Sequence, residues 1–167
     1  SINDVDLYFK NGADKIILGN CTLGENILIS EISKKYGNQS IIQSLDFKIN
    51  DGIVSFYKDS GNKQILTDLD QAIRLINSSN IGEVLINSIN KDGSLLGFDI
   101  PSFNLISKNI SKPTLCLGGA GNWSHILDLF QKTTASAACT QNIFHFTEES
   151  INSLKNFLVN NDINIRK

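Results

Sequence analysis

One pattern of hydrophobic and polar positions recurs along the chain. A short apolar run rich in β-branched residues is followed by a turn with Gly, Asn or Asp, and then by a longer segment with apolar residues at helical spacing. The runs predict buried parallel strands at residues 15–18, 40–45, 83–86, 114–117 and 135–139. The longer segments predict crossover helices at residues 25–36, 67–77, 101–108, 123–132 and 148–160.

Two segments depart from this rhythm. Residues 3–11 have helical spacing and end at Gly12, so a helix is predicted in front of the first strand. Residues 46–62 carry Asn50-Asp51-Gly52 between two β-prone runs, which is a hairpin signal inserted after the second strand. The predicted order is therefore a helix followed by five strand–helix units, one of them interrupted by a hairpin.

Strands that alternate with helices predict an α/β fold with a parallel sheet, either an open doubly wound sheet or a barrel. The chain has 167 residues, of which 41% are hydrophobic and 19% charged, and no linker or low-complexity segment divides it. We therefore expect residues 1–167 to form a single domain. Both folds place active sites at the carboxyl ends of the strands, so the residues that follow each strand are the candidates for chemistry.

Composition and charge exclude several classes of partner. The formal charge of −2 and the scattered lysines leave no basic surface for nucleic acid. No apolar run approaches the length that spans a bilayer, so no membrane partner is expected. The wide spacing of the cysteines, and of His125 and His145, gives no metal-ligand pattern. These features predict a cytoplasmic protein with buried thiols and with no metal or cofactor.

The strongest local signal is the run from Gly118 to Gly121, between a predicted strand and a predicted helix. Glycines there let backbone N–H groups approach a phosphate, and the helix N-terminus favours negative charge. A tight turn without a ligand explains such a run equally well. Gln141 and Asn142, after the last strand, are placed to complete the same phosphate site.

Carboxylates provide the second set of candidates. Asp46 follows the apolar run of the second strand, where partial desolvation suits a general acid or base, although capping of the turn into the hairpin is the simpler interpretation. Asp92 and Asp99 lie in one polar loop, where they either orient substrate hydroxyls or stabilise turns; the turn role is favoured for Asp99. His145, between two phenylalanines, is expected to be packed and hydrogen-bonded.

Taken in order and spacing, several segments together resemble the HisF family, the cyclases of imidazole glycerol phosphate synthase. They are NGADKI at 11–16, IIQSLD at 41–46, SINKDGS at 88–94, GFD at 97–99, GGAG at 118–121, FHF at 144–146 and DINIR at 162–166. The resemblance implies a (β/α)8 TIM barrel represented by about five C-terminal βα units preceded by a helix, without the first strands.

The resemblance also implies a function and a partner. Family members are lyases of histidine biosynthesis that use ammonia from a glutaminase subunit, HisH, to cleave and cyclise a ribulosyl aminoimidazole ribonucleotide. Two aspartates act as acid and base in the family; Asp46 matches one of them, and the other belongs to strand one, which this sequence lacks.

Substrate-binding positions carry over residue by residue, with some departures. Gly19 and Asn20 stand where the family has an Asn-Thr pair that contacts phosphate, and Gln141 and Asn142 replace the usual Ala-Ser pair. Asn90 replaces a common Asp. The implied substrate and phosphate residues are Gly19, Asn20, Asn90, Asp92, Ser94, Gly118, Gly119, Gln141 and Asn142.

Two alternatives remain open at this point. The segments 87–90, 117–118 and 139–142 are similar to a HisF-like branch that serves amidino-sugar and lipopolysaccharide biosynthesis. Alternatively, a barrel without its first strands is catalytically inactive and self-associates as a homo-oligomer through its open sheet edges.

Overall fold

The computed structural model describes residues 1–19, 27–66, 68–141, 143–144 and 150–166. Its helices are α1 (Ile2–Lys10), α2 (Ile27–Tyr36), α3 (Leu69–Ser78), α4 (Ile100–Ser107), α5 (Trp123–Lys132) and α6 (Ile151–Asn160). Its strands are β1 (Ile16–Leu18), β2 (Ile41–Asn50), β3 (Ile53–Lys58), β4 (Lys63–Leu66), β5 (Glu83–Ser88), β6 (Thr114–Leu117) and β7 (Ala137–Cys139).

The centre of the fold is a parallel sheet with the strand order β1-β2-β5-β6-β7. Neighbouring strands of this sheet follow one another along the chain, apart from the hairpin inserted after β2, and helices connect them. Five parallel strands joined in this way confirm the predicted α/β fold, and they correspond to part of a TIM barrel.

The hairpin is also confirmed, and it is larger than predicted. β2 continues for ten residues, and its second half pairs antiparallel with β3, while β3 pairs with β4. Asp51 and Gly52 both have positive φ angles, +50° and +77°, as a tight two-residue hairpin turn requires. The sequence did not predict β4, because its residues are half exposed and have no strong apolar pattern.

One local prediction is wrong. Asp46 does not end a strand or cap the turn into the hairpin, because β2 runs without a break from Ile41 to Asn50. Asp46 is paired with Asn87 in the parallel ladder, and the residue after it, Phe47, is still paired with Ser88. The strand continues because its second half gains the hydrogen bonds of β3 on one side.

Apolar side chains of the central strands and helices form one continuous core. β2 contributes Ile41, Leu45 and Phe47, all essentially inaccessible to solvent, so this strand is buried from its start as far as Phe47, apart from the half-buried Asp46. Helices α2, α3, α4 and α5 each bury an apolar stripe against the core, as their spacing predicted. Among the described residues, none of the helices has the length and apolar character to cross a bilayer.

Candidate functional site

The predicted catalytic carboxylate lies between two hydrogen-bond donors. The Ser44 hydroxyl donates to Oδ1 of Asp46 at 2.8 Å, and the Asn87 side-chain amide donates to the same oxygen at 3.0 Å. Ser44 and Asp46 are two residues apart on β2 and so share a face of the sheet, while Asn87 is directly opposite Asp46 on β5. The carboxylate is thus held at a fixed place on the strand that has neighbours on both sides.

The glycines at residues 118–121 have a structural explanation. Gly118 and Gly119 have φ angles of +102° and +104°. A Cβ atom would lie 2.7 Å from the Ser88 carbonyl oxygen at position 118 and 2.2 Å from the Gly97 carbonyl oxygen at position 119. The loop between β5 and α4 therefore approaches this turn too closely for any side chain. Packing alone requires these glycines, independently of any ligand.

The same turn nevertheless presents free donors. Within the described part of the chain, the backbone N–H groups of Gly119 and Ala120 have no hydrogen-bond partner. The next N–H, of Gly121, is already taken, because it donates to Nδ1 of His125 at 3.1 Å. Asn122 caps α5 by accepting from the His125 N–H at 3.0 Å. Two unpaired N–H groups just before a helix N-terminus suit an anion such as phosphate.

These donors border a small polar cavity of about 160 Å³. The cavity brings together four of the predicted substrate residues: Asp92, Gly118, Gly119 and Gln141. A larger cavity, of about 630 Å³, lies between β7 and helices α5 and α6, and it is mainly apolar and lined by none of the predicted residues. We regard the smaller cavity as the candidate site because of its polar lining and its place at the carboxyl ends of β6 and β7.

Two further predicted residues make structural hydrogen bonds. Asn90 accepts from the backbone N–H of Ile49 at 3.1 Å and so ties the polar loop to the second half of β2. Ser94 accepts from the N–H of Leu96 at 3.3 Å within its own loop. Asp99 caps α4 by accepting from the Ser102 N–H at 3.2 Å, which supports the structural role favoured for it.

Gly19 follows β1, which forms the edge of the parallel sheet opposite to β7, and β2 and β5 separate β1 from β6. Its carbonyl oxygen accepts from the Gln43 side chain at 3.0 Å. The structure therefore places Gly19 apart from the Gly118–Gly119 turn, as two separate phosphate sites would require. Three sequence-predicted residues, Asn20, Asn142 and His145, lie outside the described residues.

Comparison with known proteins identifies the family. A sequence profile described as "Histidine biosynthesis protein" matches residues 1–150. The chain belongs to the histidine biosynthesis protein family. Among its relatives, it is 34% identical to "Imidazole glycerol phosphate synthase subunit HisF" of Hydrogenobaculum over 167 residues, which cover 99% of this chain and 66% of that protein.

Other members of the family give the same result. The HisF subunit of Streptococcus sanguinis is 33% identical over 93% of this chain and 62% of its own length. That of Cytophaga hutchinsonii is 35% identical over 100% of this chain and 66% of its own length. The chain thus spans just under two thirds of the curated relatives it matches. Their names do not favour the sugar-modification alternative.

Within the family fold, the structure adds residues that the sequence did not single out. Asn87 and Ser44 contact the candidate catalytic carboxylate, and neither was predicted, because the contact depends on strand register. Lys15 and Glu83 form an ion pair that spans β2 at the amino ends of the strands. Ile17, Ile42 and Glu83 are paired across the three neighbouring strands, so their side chains lie on one face of the sheet. Side chains two residues apart on a strand share a face, so Lys15, Glu83 and Asp46 all lie on this face.

The cysteines are placed for packing. Cys116 is buried, and burial raises the pKa of its thiol well above the ordinary value; burial also raises the pKa of the partly exposed Cys139. Thiols with raised pKa values are poor nucleophiles at neutral pH. Cys21 lies outside the described residues. No group of three or more His, Cys, Asp or Glu residues that could hold a metal occurs in the part of the chain that the structure describes.

Proposed function

We propose that this protein is a cyclase of the imidazole glycerol phosphate synthase type. It would use ammonia from a glutaminase partner to cleave and cyclise a ribulosyl aminoimidazole ribonucleotide. The observation that carries the proposal is the combination of Asp46, held by two donors, with a polar cavity at the carboxyl ends of β6 and β7 in the same sheet. Family membership selects this reaction among those that a carboxylate and an anion site support.

Asp46 is the proposed acid–base residue. Condensation of ammonia with a ketose carbonyl releases water, and ring closure requires further proton transfers. A positioned carboxylate can donate or accept a proton at each of these steps. The hydrogen bonds from Ser44 and Asn87 restrict the side chain to one orientation. Such restriction matters because a displacement of about 1 Å at a reacting group can lower the rate about a hundredfold.

The Gly118–Gly119 turn is the proposed site for one phosphate of the substrate. The free N–H groups of Gly119 and Ala120 border the cavity that Gln141 and Asp92 also line. Gln141 adds a neutral side-chain donor beside these backbone donors. Gly19 and Asn20, at the end of β1, are proposed for the other phosphate, with Asn90, Asp92 and Ser94 facing the middle of the substrate.

The proposed partner is a glutaminase subunit. The relatives are named as subunits of a synthase, which supports an assembly of more than one chain. The Lys15–Glu83 ion pair lies at the amino ends of the strands, the end of the sheet at which ammonia would arrive. The partner is therefore proposed to bind the chain near this ion pair. A cytoplasmic location is part of the same proposal.

Turnover measured on the protein as the cell makes it tests the proposal. Its rate of consumption of the ribulosyl ribonucleotide is followed with an ammonium salt as the nitrogen source. The substitution Asp46→Asn should lower kcat by several powers of ten without loss of folding. Asp68→Asn is the matched control, because Asp68 caps α3, a role that Asn fills as well. No turnover by the parent would refute the proposed function, and equal rates for Asp46→Asn and the parent would refute the role of Asp46.

A further inference from the structure

Asn87 is half-buried, and the two ends of its side-chain amide have different environments. Its Nδ2 donates to Asp46, but its Oδ1 atom is buried and has no hydrogen-bond partner among the described residues. A buried carbonyl oxygen without a partner destabilises the folded protein relative to a paired one. Rotating the amide by 180° would not help, because Oδ1 would then face the carboxylate oxygen of Asp46, and both atoms are acceptors.

We propose that Asn87 is a positioning residue for Asp46 and that its Oδ1 accepts a hydrogen bond from a reactant. This inference rests on the proposed function. The carboxylate fixes which way the amide points, and because Oδ1 is inaccessible in the described structure, the donor of the reactant must displace the atoms that cover it. The reactant that matches this acceptor carries an N–H or O–H donor and binds beside Asp46. Both ammonia and the ribulosyl ribonucleotide carry such donors.

The position of Asn87 supports this role. It is directly opposite Asp46 in the ladder, four residues beyond Glu83 on the same strand and on the same face. That separation corresponds to about 13 Å along β5. A small donor that passes the ion pair at the amino end, and a larger one that enters at the carboxyl end, would both reach Asn87 and Asp46 together.

Ser44 provides a comparison within the same site. Its hydroxyl also donates to Oδ1 of Asp46, but Ser44 has no side-chain carbonyl oxygen like that of Asn87. Losing Ser44 should therefore weaken only the orientation of Asp46. Losing Asn87 should weaken that orientation and also the binding of the reactant whose donor it accepts.

The test compares Asn87→Leu, Ser44→Ala and Asn87→Ser in the protein as the cell makes it, with separate KM values for ammonium and for the ribulosyl ribonucleotide. Asn87→Leu should lower kcat about tenfold or more and raise one of the two KM values, whereas Ser44→Ala should lower kcat alone. A rise in the ammonium KM identifies ammonia as the donor, and a rise in the other KM identifies the ribonucleotide. Asn87→Ser retains a hydroxyl and should recover part of the loss.

Either of two results would overturn the inference: parental kcat and KM values for folded Asn87→Leu, or the same KM effect for Ser44→Ala. An NMR readout separates this failure from failure of the proposed function. If the parent turns over no ribonucleotide, Asp46→Ala should still shift the side-chain amide signals of Asn87. Unchanged signals would then contradict the role of Asn87 in positioning Asp46.

Discussion

The Gly97 backbone N–H donates to the Gly119 carbonyl oxygen at 2.7 Å, which joins the β5–α4 loop to the turn after β6. The contact is possible because Gly119 has no side chain: a Cβ on Gly119 would lie 2.2 Å from the Gly97 carbonyl oxygen. The polar cavity lies beside this junction. The shape of the proposed phosphate site therefore depends on a backbone contact between two loops.

Replacing Gly119 by Ala should disrupt both loops. The new methyl group would clash with backbone, and φ is +104°, so we expect a loss of stability of about 2–4 kcal/mol and a loss of phosphate affinity. Gly12→Ala is the matched control, because Gly12 has a similar φ of +95° but open space around it, and only about 1 kcal/mol should be lost. Chemical denaturation measures both changes. Equal losses for the two variants would contradict the packing argument.

Asp99 should prove to be structural. Its side chain caps α4, so Asp99→Ala is expected to lower the free energy of unfolding by about 1 kcal/mol, while Asp99→Asn should retain most of the stability. Because the side chain is committed to the cap, neither substitution should change the KM for the ribonucleotide by more than about twofold. A large rise in KM for Asp99→Asn would instead assign Asp99 to the substrate.

The contact between α1 and α2 should be sensitive to acid. Hydrogen bonds from Lys35 and Tyr36 hold the pKa of Asp6 below its ordinary value of 3.8. A lowered pKa in the folded state stabilises the fold above the unfolded-state pKa, and this contribution disappears as the pH falls through the folded-state pKa. The melting temperature of the parent should exceed that of Asp6→Asn at pH 6, and the difference should shrink below about pH 4. A difference that is constant with pH would contradict this.

A polypeptide consisting only of these 167 residues should self-associate. In the described structure β1 pairs only with β2 and β7 only with β6, so both outer edges of the parallel sheet are open. The exposed Ile17 side chain on β1 adds apolar surface at one of these edges. Open edges and exposed apolar surface favour association. Sedimentation should show dimers or larger species at micromolar concentration; a monodisperse monomer would contradict the expectation.

Local sequence pattern predicted most of the fold. The apolar runs of β5 and β6 and the helical spacing of α3 and α5 fall close to their observed places, because each element is dictated by its own residues. The pattern failed at Asp46, because the predicted strand and the first arm of the predicted hairpin form one continuous strand, β2, whose second half pairs with β3. It also failed at β4, whose residues are held by the hairpin rather than by their own apolar character.

The site was only partly predictable for the same reason. Gly118, Gly119, Asp92 and Gln141 all follow strands, and parallel topology alone brings strand ends together, so their shared cavity could be expected. The contact of Asn87 with Asp46 depends on the register of β2 and β5, which a single sequence does not specify. The structural need for the glycines at 118 and 119 arises from the close approach of another loop, which the sequence alone could not predict either.

Binding of the proposed product is the decisive test of the Gly118–Gly119 turn as a phosphate site. Imidazole glycerol phosphate is titrated into the isotopically labelled protein, and backbone amide shifts are followed at Gly119 and Ala120, with Gly12, between α1 and β1, as the control. We predict saturable shifts at Gly119 and Ala120 that are absent at Gly12 and that Gly119→Ala weakens. A folded spectrum in which the product moves neither amide would contradict the assignment of this turn as a phosphate site and, with it, the proposed function.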